Sequence, residues 1–402
     1  MPYPLWLPIL LGFLTAVGPL STDMYLPAFP AIEASLGGRP GTAQITLATW
    51  FAGLAVGQLT QGSLADRYGR RGPLIAGTML YAAANAGCAL ATDITSLSVL
   101  RFVAALGGSA GMVIPRAIVR DLAEGHAAAR LMSKLILVMG AAPILAPTLG
   151  GFILGFGSWH WIFSITATYG ALCAVLVALL LPETLQERHR VKLGLAGMAS
   201  RFVGVSRDRV FLSYALLGGF GMFGMFAYIG GSPPVLIQRF GFSPAQYGML
   251  FGCSAGMFIL GSQISPRLLP RFGGVRIVRA AVSTYLAAVL VLMAATLVDR
   301  GGVPALVVPV MVAMGCMGFI MPNAAVGALA RHAHQAGSAS ALMGTIQFTM
   351  AACAGVLVGV LTDGTALPMA GMMLLGALGA VAADRLRPAL PRPRPAEPER
   401  KP

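Results

Sequence analysis

Hydrophobic positions do not alternate along this chain. They form long unbroken runs separated by short polar gaps. The first run covers about residues 5–26. Eleven more follow at about 43–62, 73–91, 96–118, 132–154, 160–181, 210–231, 245–265, 275–297, 302–323, 339–361 and 366–383. Runs of roughly 20 residues match the hydrocarbon thickness of a bilayer when coiled as helices, and are too long for the ten-residue alternating strands of a barrel. The pattern predicts an all-α integral membrane fold, since lipid offers the backbone no hydrogen-bonding partner. The first run has no Lys or Arg before it and no small-residue cleavage site after it, so it reads as a span rather than a leader. One long polar stretch, 182–209, divides the chain into a first six-helix half (1–181) and a second (210–384), followed by a Pro- and Arg-rich tail (385–402).

Composition agrees. Hydrophobic residues make up 56% of the 402 and charged residues only 10%, far below the roughly 25% of soluble domains. The net charge of +14 does not imply nucleic acid: the charges lie in the gaps, with no basic stripe and no interleaved aromatics. With the N-terminus inside, 23 of the 28 Lys and Arg fall on the cytoplasmic side and only Arg39, Arg239 and Arg300 outside. This bias predicts both termini in the cytoplasm, with the tail read as disordered and solvated. The five cysteines lie in apolar runs without paired spacing, and the histidines lie in loops or at span edges. His332 and His334 read as a solvated pair, so no metal site is expected.

The halves resemble each other. Gly111-Met-Val-Ile-Pro115-Arg116-Ala-Ile-Val119 in the fourth run is matched by Gly318-Phe-Ile-Met-Pro322-Asn323-Ala-Ala-Val326 in the tenth. The separation is six runs, an even number, so the repeat is parallel. Such halves are related by an axis along the membrane normal, with substrate bound between them at mid-membrane.

Among the acids, Asp23 alone falls within a span, in the outer third of the first. Burying a carboxylate costs several kcal/mol, and a buried acid usually avoids this by taking up a proton. An intramembrane acid therefore suggests proton or cation coupling. Arg101, about one and a half turns into the fourth span, lies at a similar depth and is the expected partner of Asp23. Closing such a pair favours the carboxylate, and opening it favours the acid. Gln58, Gln61, Asn85, Asn323 and Gln347 are further polar residues within or at the ends of spans. The second and third spans are joined by Gly62-Ser-Leu-Ala-Asp66-Arg67-Tyr-Gly69-Arg70-Arg71-Gly-Pro73. Its glycines permit a tight inner turn, and Asp66 can accept from an Arg side chain or cap a neighbouring helix.

That loop resembles the signature of the major facilitator superfamily. Its counterpart, Gly261-Ser-Gln-Ile-Ser-Pro-Arg267 to Gly273, is degenerate and lacks the Asp. Arg101-Phe-Val-Ala-Ala-Leu-Gly107 resembles the superfamily's fourth-helix arginine motif. Ser21-Thr22-Asp23-Met24-Tyr25-Leu26-Pro27, Pro115-Arg116 through Asp121, Ala142-Pro143 through Gly151, Trp159-His-Trp161-Ile-Phe163 and Leu181-Pro182-Glu183-Thr184-Leu185 are similar to the Bcr/CflA-type drug exporters. The resemblance implies twelve transmembrane helices as two six-helix parallel repeats, in a proton antiporter of the bacterial inner membrane that exports antibiotics. It also implies proton-coupling positions at Asp23 and Arg101, a conformational gate at Gly62, Asp66, Arg67, Gly69, Arg70 and Arg71, and an antiport motif at Pro143, Pro147, Gly150 and Gly151. Two departures stand out. Ala146-Pro147 replaces the frequent Gly-Pro, and Thr15 stands where some relatives carry a second first-helix acid. A single carboxylate favours neutral or weakly charged substrates.

The substrate cavity is expected between the first, fourth, seventh and tenth spans, with Tyr25, Arg116, Phe220, Phe223 and Asn323 as candidate wall residues. The overall expectation is proton-coupled efflux of small amphipathic compounds by alternating access. The partners are the lipid bilayer, protons and a small-molecule substrate, with no nucleic acid. One chain suffices as a monomer, and the proton gradient supplies energy without any cofactor. A metabolite transporter of the same fold, handling an amino acid or sugar derivative, is the alternative. No nucleophile with a base and no phosphate-binding loop marks an enzyme or direct ATP drive.

Overall fold

The computed structural model describes residues 4, 6–123, 125–187, 195–298, 301–332 and 335–388, without the side chains of 125–130, 133, 136–137, 139–140 and 195–199. Glu124, Asp299, Arg300, His334, the central-loop residues 188–194 and the tail beyond Pro388 lie outside the described residues.

The twelve predicted spans are all helical. They are α1 (Leu7–Asp23), α3 (Thr42–Tyr68), α4 (Arg71–Cys88), α5 (Ile94–Leu122), α6 (Gly125–Phe156) and α7 (His160–Leu180), then α9 (Arg209–Pro233), α10 (Pro244–Phe272), α11 (Gly274–Val298), α12 (Gly302–Leu329), α13 (Ala336–Leu361) and α14 (Leu367–Arg385). Two further helices were not anticipated. A short α2 (Phe29–Ser35) follows a single 3-10 turn beyond α1, and α8 (Leu195–Ser206) lies inside the stretch read as a loop. Leu195, Met198, Phe202 and Val205 recur at helical spacing there, an amphipathic stripe too short to register as a span. Among the described residues nine helical segments are both long and apolar enough to cross a membrane.

Several helices overrun their apolar runs at the C-terminal end. α3 continues to Tyr68, α10 to Phe272 and α12 to Leu329. The apolar run measures the hydrocarbon slab, whereas the helix continues into the interface until something stops it. The stop after α3 is Gly69 at φ 94°, and after α10 it is Gly273 at φ 74°, a conformation with little steric cost only for glycine. Starts are fixed by caps. Asp93 accepts from Ser96 N at 2.8 Å, Asp208 accepts from Val210 N at 2.9 Å, and Ser243 and Gln246 form a reciprocal capping box.

Helices from the two halves of the chain meet along two seams, α3 with α13 and α6 with α10. At the outer end of the first seam, Gly41 and Gly359 approach so closely that a Cβ on either would strike the other's carbonyl. Deeper along it, Thr345 donates to Ala55 O at 3.1 Å. In the second seam Gly151 abuts Pro244, and Gly248 abuts Pro147. At this end, opposite the Arg-rich loop of Gly62–Pro73, the halves are therefore closed against each other.

Candidate functional site

Beneath that seal lies a central chamber of about 270 Å³. Its wall is apolar: Phe51, Phe226, Phe251, Phe258 and Phe348 with Met112, Met225 and Met314. Phe51 packs on Phe226 with ring centroids 4.2 Å apart and stacks on Phe348 at 6.1 Å. Tyr228 and Phe251 stack at 6.0 Å. Rigid rings give a ligand large contact area, and flexible thioethers adapt to its shape.

One carboxylate enters this wall. Asp23 lines the chamber with Gly18, Pro19 and Thr22. It sits at the last residue of α1, where the chain turns into the 3-10 segment, and only 6% of it is exposed. The expected partnership with Arg101 is not present. Arg101 is 0% exposed and forms no ion pair with Asp23. Its Nη2 donates to Ser21 O at 2.7 Å. Its guanidinium lies 4.3 Å from the Tyr25 ring centroid, 4.4 Å from Trp50 and 5.7 Å from Phe163. Its Nε has no partner. Three aromatic faces replace the carboxylate that sequence reasoning assigned to it, an arrangement open to a planar, weakly hydrated guanidinium. Sequence depth placed the two residues at the same level but did not show that their side chains point into different environments.

The candidate wall residues fare unevenly. Tyr25 belongs to the cage around Arg101, and its hydroxyl meets Thr46 at 3.4 Å. Phe220 packs against Gly379 of α14. Phe223 is buried in the core away from the chamber. Asn323 ties α12 to α10, donating to Ser265 Oγ at 2.7 Å. Arg116 lines a separate, lower pocket. The first, fourth, seventh and tenth spans all reach the chamber as expected, but α10 supplies five lining residues, which sequence reasoning missed along with Phe51 and Phe348. A helix that is apolar all round shows no sequence signal for which face meets a cavity and which meets lipid.

The segment from Pro143 to Gly151 positions α6 against this site. Pro143 lines the chamber. A Cβ on Gly150 would collide with the Met24 carbonyl, one residue beyond Asp23, while Gly151 touches α10. α6 therefore bridges the end of α1 and the second half.

The loop between α3 and α4 forms a latch. Arg70 pairs with Asp66 and, through Nε, with Asp121 Oδ2 at 2.8 Å. Arg71 donates to Ala178 O, Arg67 lies over the Tyr68 ring, and Gly62 lines the lower pocket. The cap on the next helix comes from elsewhere. Glu183, not Asp66, accepts from Arg70 N at 2.8 Å and Arg71 N at 3.2 Å, at the start of α4. A Cβ on Gly69 would strike this carboxylate. Partial burial pushes the Glu183 carboxyl up, but the amides of Arg70, Leu185, Arg71 and Thr184 outweigh it and hold it below the usual range. In the second half the loop lacks an acid, and other pairs stand nearby: Asp384 with Arg387 at 2.8 Å and Asp208 with His332 at 3.1 Å.

The Major Facilitator Superfamily model matches residues 11–356, and the chain belongs to that family. It is a multi-pass membrane transporter, not an enzyme. It is 37% identical over 378 residues to an uncharacterized MFS-type transporter YdgK of Bacillus subtilis, covering 92% of each chain. It is 31% identical over 359 residues to a bicyclomycin resistance protein homolog of Haemophilus influenzae, covering 89% of this chain and 90% of that one. Its fold is similar to that of a D-xylose-proton symporter at TM-score 0.72 and 16% identity, covering 93% of this chain and 95% of the other.

Proposed function

We propose that the protein exports small amphipathic compounds, antibiotics among them, across the bacterial inner membrane in exchange for protons. The observation that carries this reading is Asp23: a nearly buried carboxylate in the wall of an aromatic chamber, in no ion pair with a described residue. A buried acid with no cation to neutralise it is held most cheaply with a proton on it. A site shared with substrate makes proton and drug compete, as exchange requires.

In the proposed cycle the six-helix halves rock about the chamber as one chain, a monomer with both termini in the cytoplasm. With the outer ends closed, Asp23 releases its proton inward and an amphipath enters from the cytoplasm or the inner leaflet. With the outer ends open, the compound leaves and Asp23 is reprotonated. Arg101, fixed in its cage, sets the local field near the end of α1 through Ser21. The latch of Asp66, Arg70 and Asp121 steadies the inner ends of the first-half helices as they move.

The test is accumulation of labelled antibiotics in efflux-deficient bacteria carrying wild type or Asp23→Asn, with and without a protonophore. The reading requires lowered accumulation of at least one compound, abolished by the substitution and by the protonophore. If export persists without the gradient, the proton-coupled reading fails. If antibiotics never move while an amino acid or sugar derivative does, the metabolite alternative replaces it.

A further inference from the structure

A second pocket of about 260 Å³ lies below the chamber, between the halves at their inner ends. It is unlike the chamber in chemistry. Arg116 and Arg120 project into it from α5, and Gly337, Ser338 and Ser340 face it from the start of α13. The two arginines are one helical turn apart and share a face. Both keep exposed surface, and neither makes an ion pair or hydrogen bond with a described residue. The acid that lines the same pocket, Asp66, is already bonded to Arg70, which also holds Asp121. Arg120 alone would pass for an interfacial charge on the cytoplasmic side. Arg116 sits a turn deeper, only four residues from Met112 of the chamber wall, about 6 Å along the helix. A guanidinium at that depth, paired with no described acid, is costly unless something anionic visits it. Across the pocket, Gln335 at the N-cap of α13 makes no side-chain cap bond, so first-turn amides there also point toward incoming negative charge.

We infer that this vestibule is an oxyanion-binding site that takes the acidic head of amphipathic substrates, held by Arg116 and Arg120, while their apolar body reaches up into the chamber. A guanidinium fork matches a carboxylate, phosphate or sulfonate with two parallel hydrogen bonds. This deepens the proposed export function, adding acidic amphipaths to its substrates. The same polarity explains why such a head stays low: Asp23 stands at the far end of the chamber and repels it when ionised. The donors belong to different halves of the chain, so the ligand spans the crevice that must change shape in transport.

The test is equilibrium binding of labelled naphthoate and its neutral isostere naphthamide to the purified full chain in phosphatidylcholine nanodiscs, with no gradient present. The site requires wild type to prefer naphthoate. Arg116→Gln and Arg120→Gln should each weaken naphthoate roughly tenfold or more, leave naphthamide within about twofold, and Arg116→Lys should recover part of the loss. Naphthamide binding also reports that each variant is folded. Equal binding of the two probes by wild type overturns the assignment, as do glutamine variants that bind naphthoate normally or lose both probes alike. If naphthoate binding vanishes when phosphatidylglycerol is added to the discs, the occupant is an inner-leaflet lipid headgroup and the substrate assignment falls. No proton gradient enters this measurement, so its failure leaves proton coupling standing, and failure of proton coupling leaves this site standing.

Discussion

Asp23 and Arg101 are opposite charges at similar depth in neighbouring first-half helices, and the fold treats them in opposite ways. Arg101 is enclosed. Tyr25, Trp50 and Phe163 surround it, a backbone carbonyl takes one of its donors, and no solvent reaches it. Asp23 is nearly as buried but forms part of a cavity wall, with no described cation paired to it. One charge is fixed by its surroundings and the other is left free to change. Two charges at matching depth invite the idea of a pair, but whether they meet depends on which way each side chain points.

The comparison can be broken first at the cage. Arg101→Lys keeps the charge but loses the planar stacking and the directed bond to Ser21 O, so it should destabilise the protein by about 2 kcal/mol. Thermal unfolding in detergent would show this as a lowered midpoint with reduced export. An unchanged midpoint would mean the aromatic faces contribute little. The chamber should respond differently. Phe51→Ala and Phe226→Ala each remove a ring contact worth about 1 kcal/mol and should weaken substrate affinity roughly fivefold, with a small effect on the unfolding midpoint.

Smaller effects belong to the latch. Glu183 is held below the ordinary carboxylate range, so the stability it contributes is present above the unfolded-state value, about 4.3, and is lost as pH falls through the lower folded-state value. Wild type should therefore unfold at a higher temperature than Glu183→Gln at neutral pH, and the gap should close in acid. A gap independent of pH would contradict the capping role. The smallest effect is expected at Phe220, which faces Gly379 rather than the chamber. Phe220→Leu should leave affinity for any exported compound unchanged, and a clear loss would return this residue to the binding wall.

Much of the architecture was legible in the sequence because bilayer thickness writes itself into run lengths. The twelve helices and the place of Asp23 at the end of the first both follow from that. The cap by Glu183 was not, because its partners lie more than a hundred residues away in the chain. α8 was missed because its stripe is short and its flanks are charged. The chamber wall was only partly legible: Phe51, Phe251 and Phe348 lie in helices whose lipid and cavity faces are equally apolar, so periodicity carries no sign of which ring faces a ligand.

In the proposed cycle Asp23 couples transport to protons while the chamber handles the substrate. The most direct test uses purified protein in proteoliposomes and a compound identified by the accumulation screen. Substrate exchange at equal pH would be compared with accumulation driven by an imposed pH gradient. Asp23→Asn should keep exchange and lose gradient-driven accumulation. Accumulation by Asp23→Asn at the wild-type level would contradict it and move proton coupling to another residue.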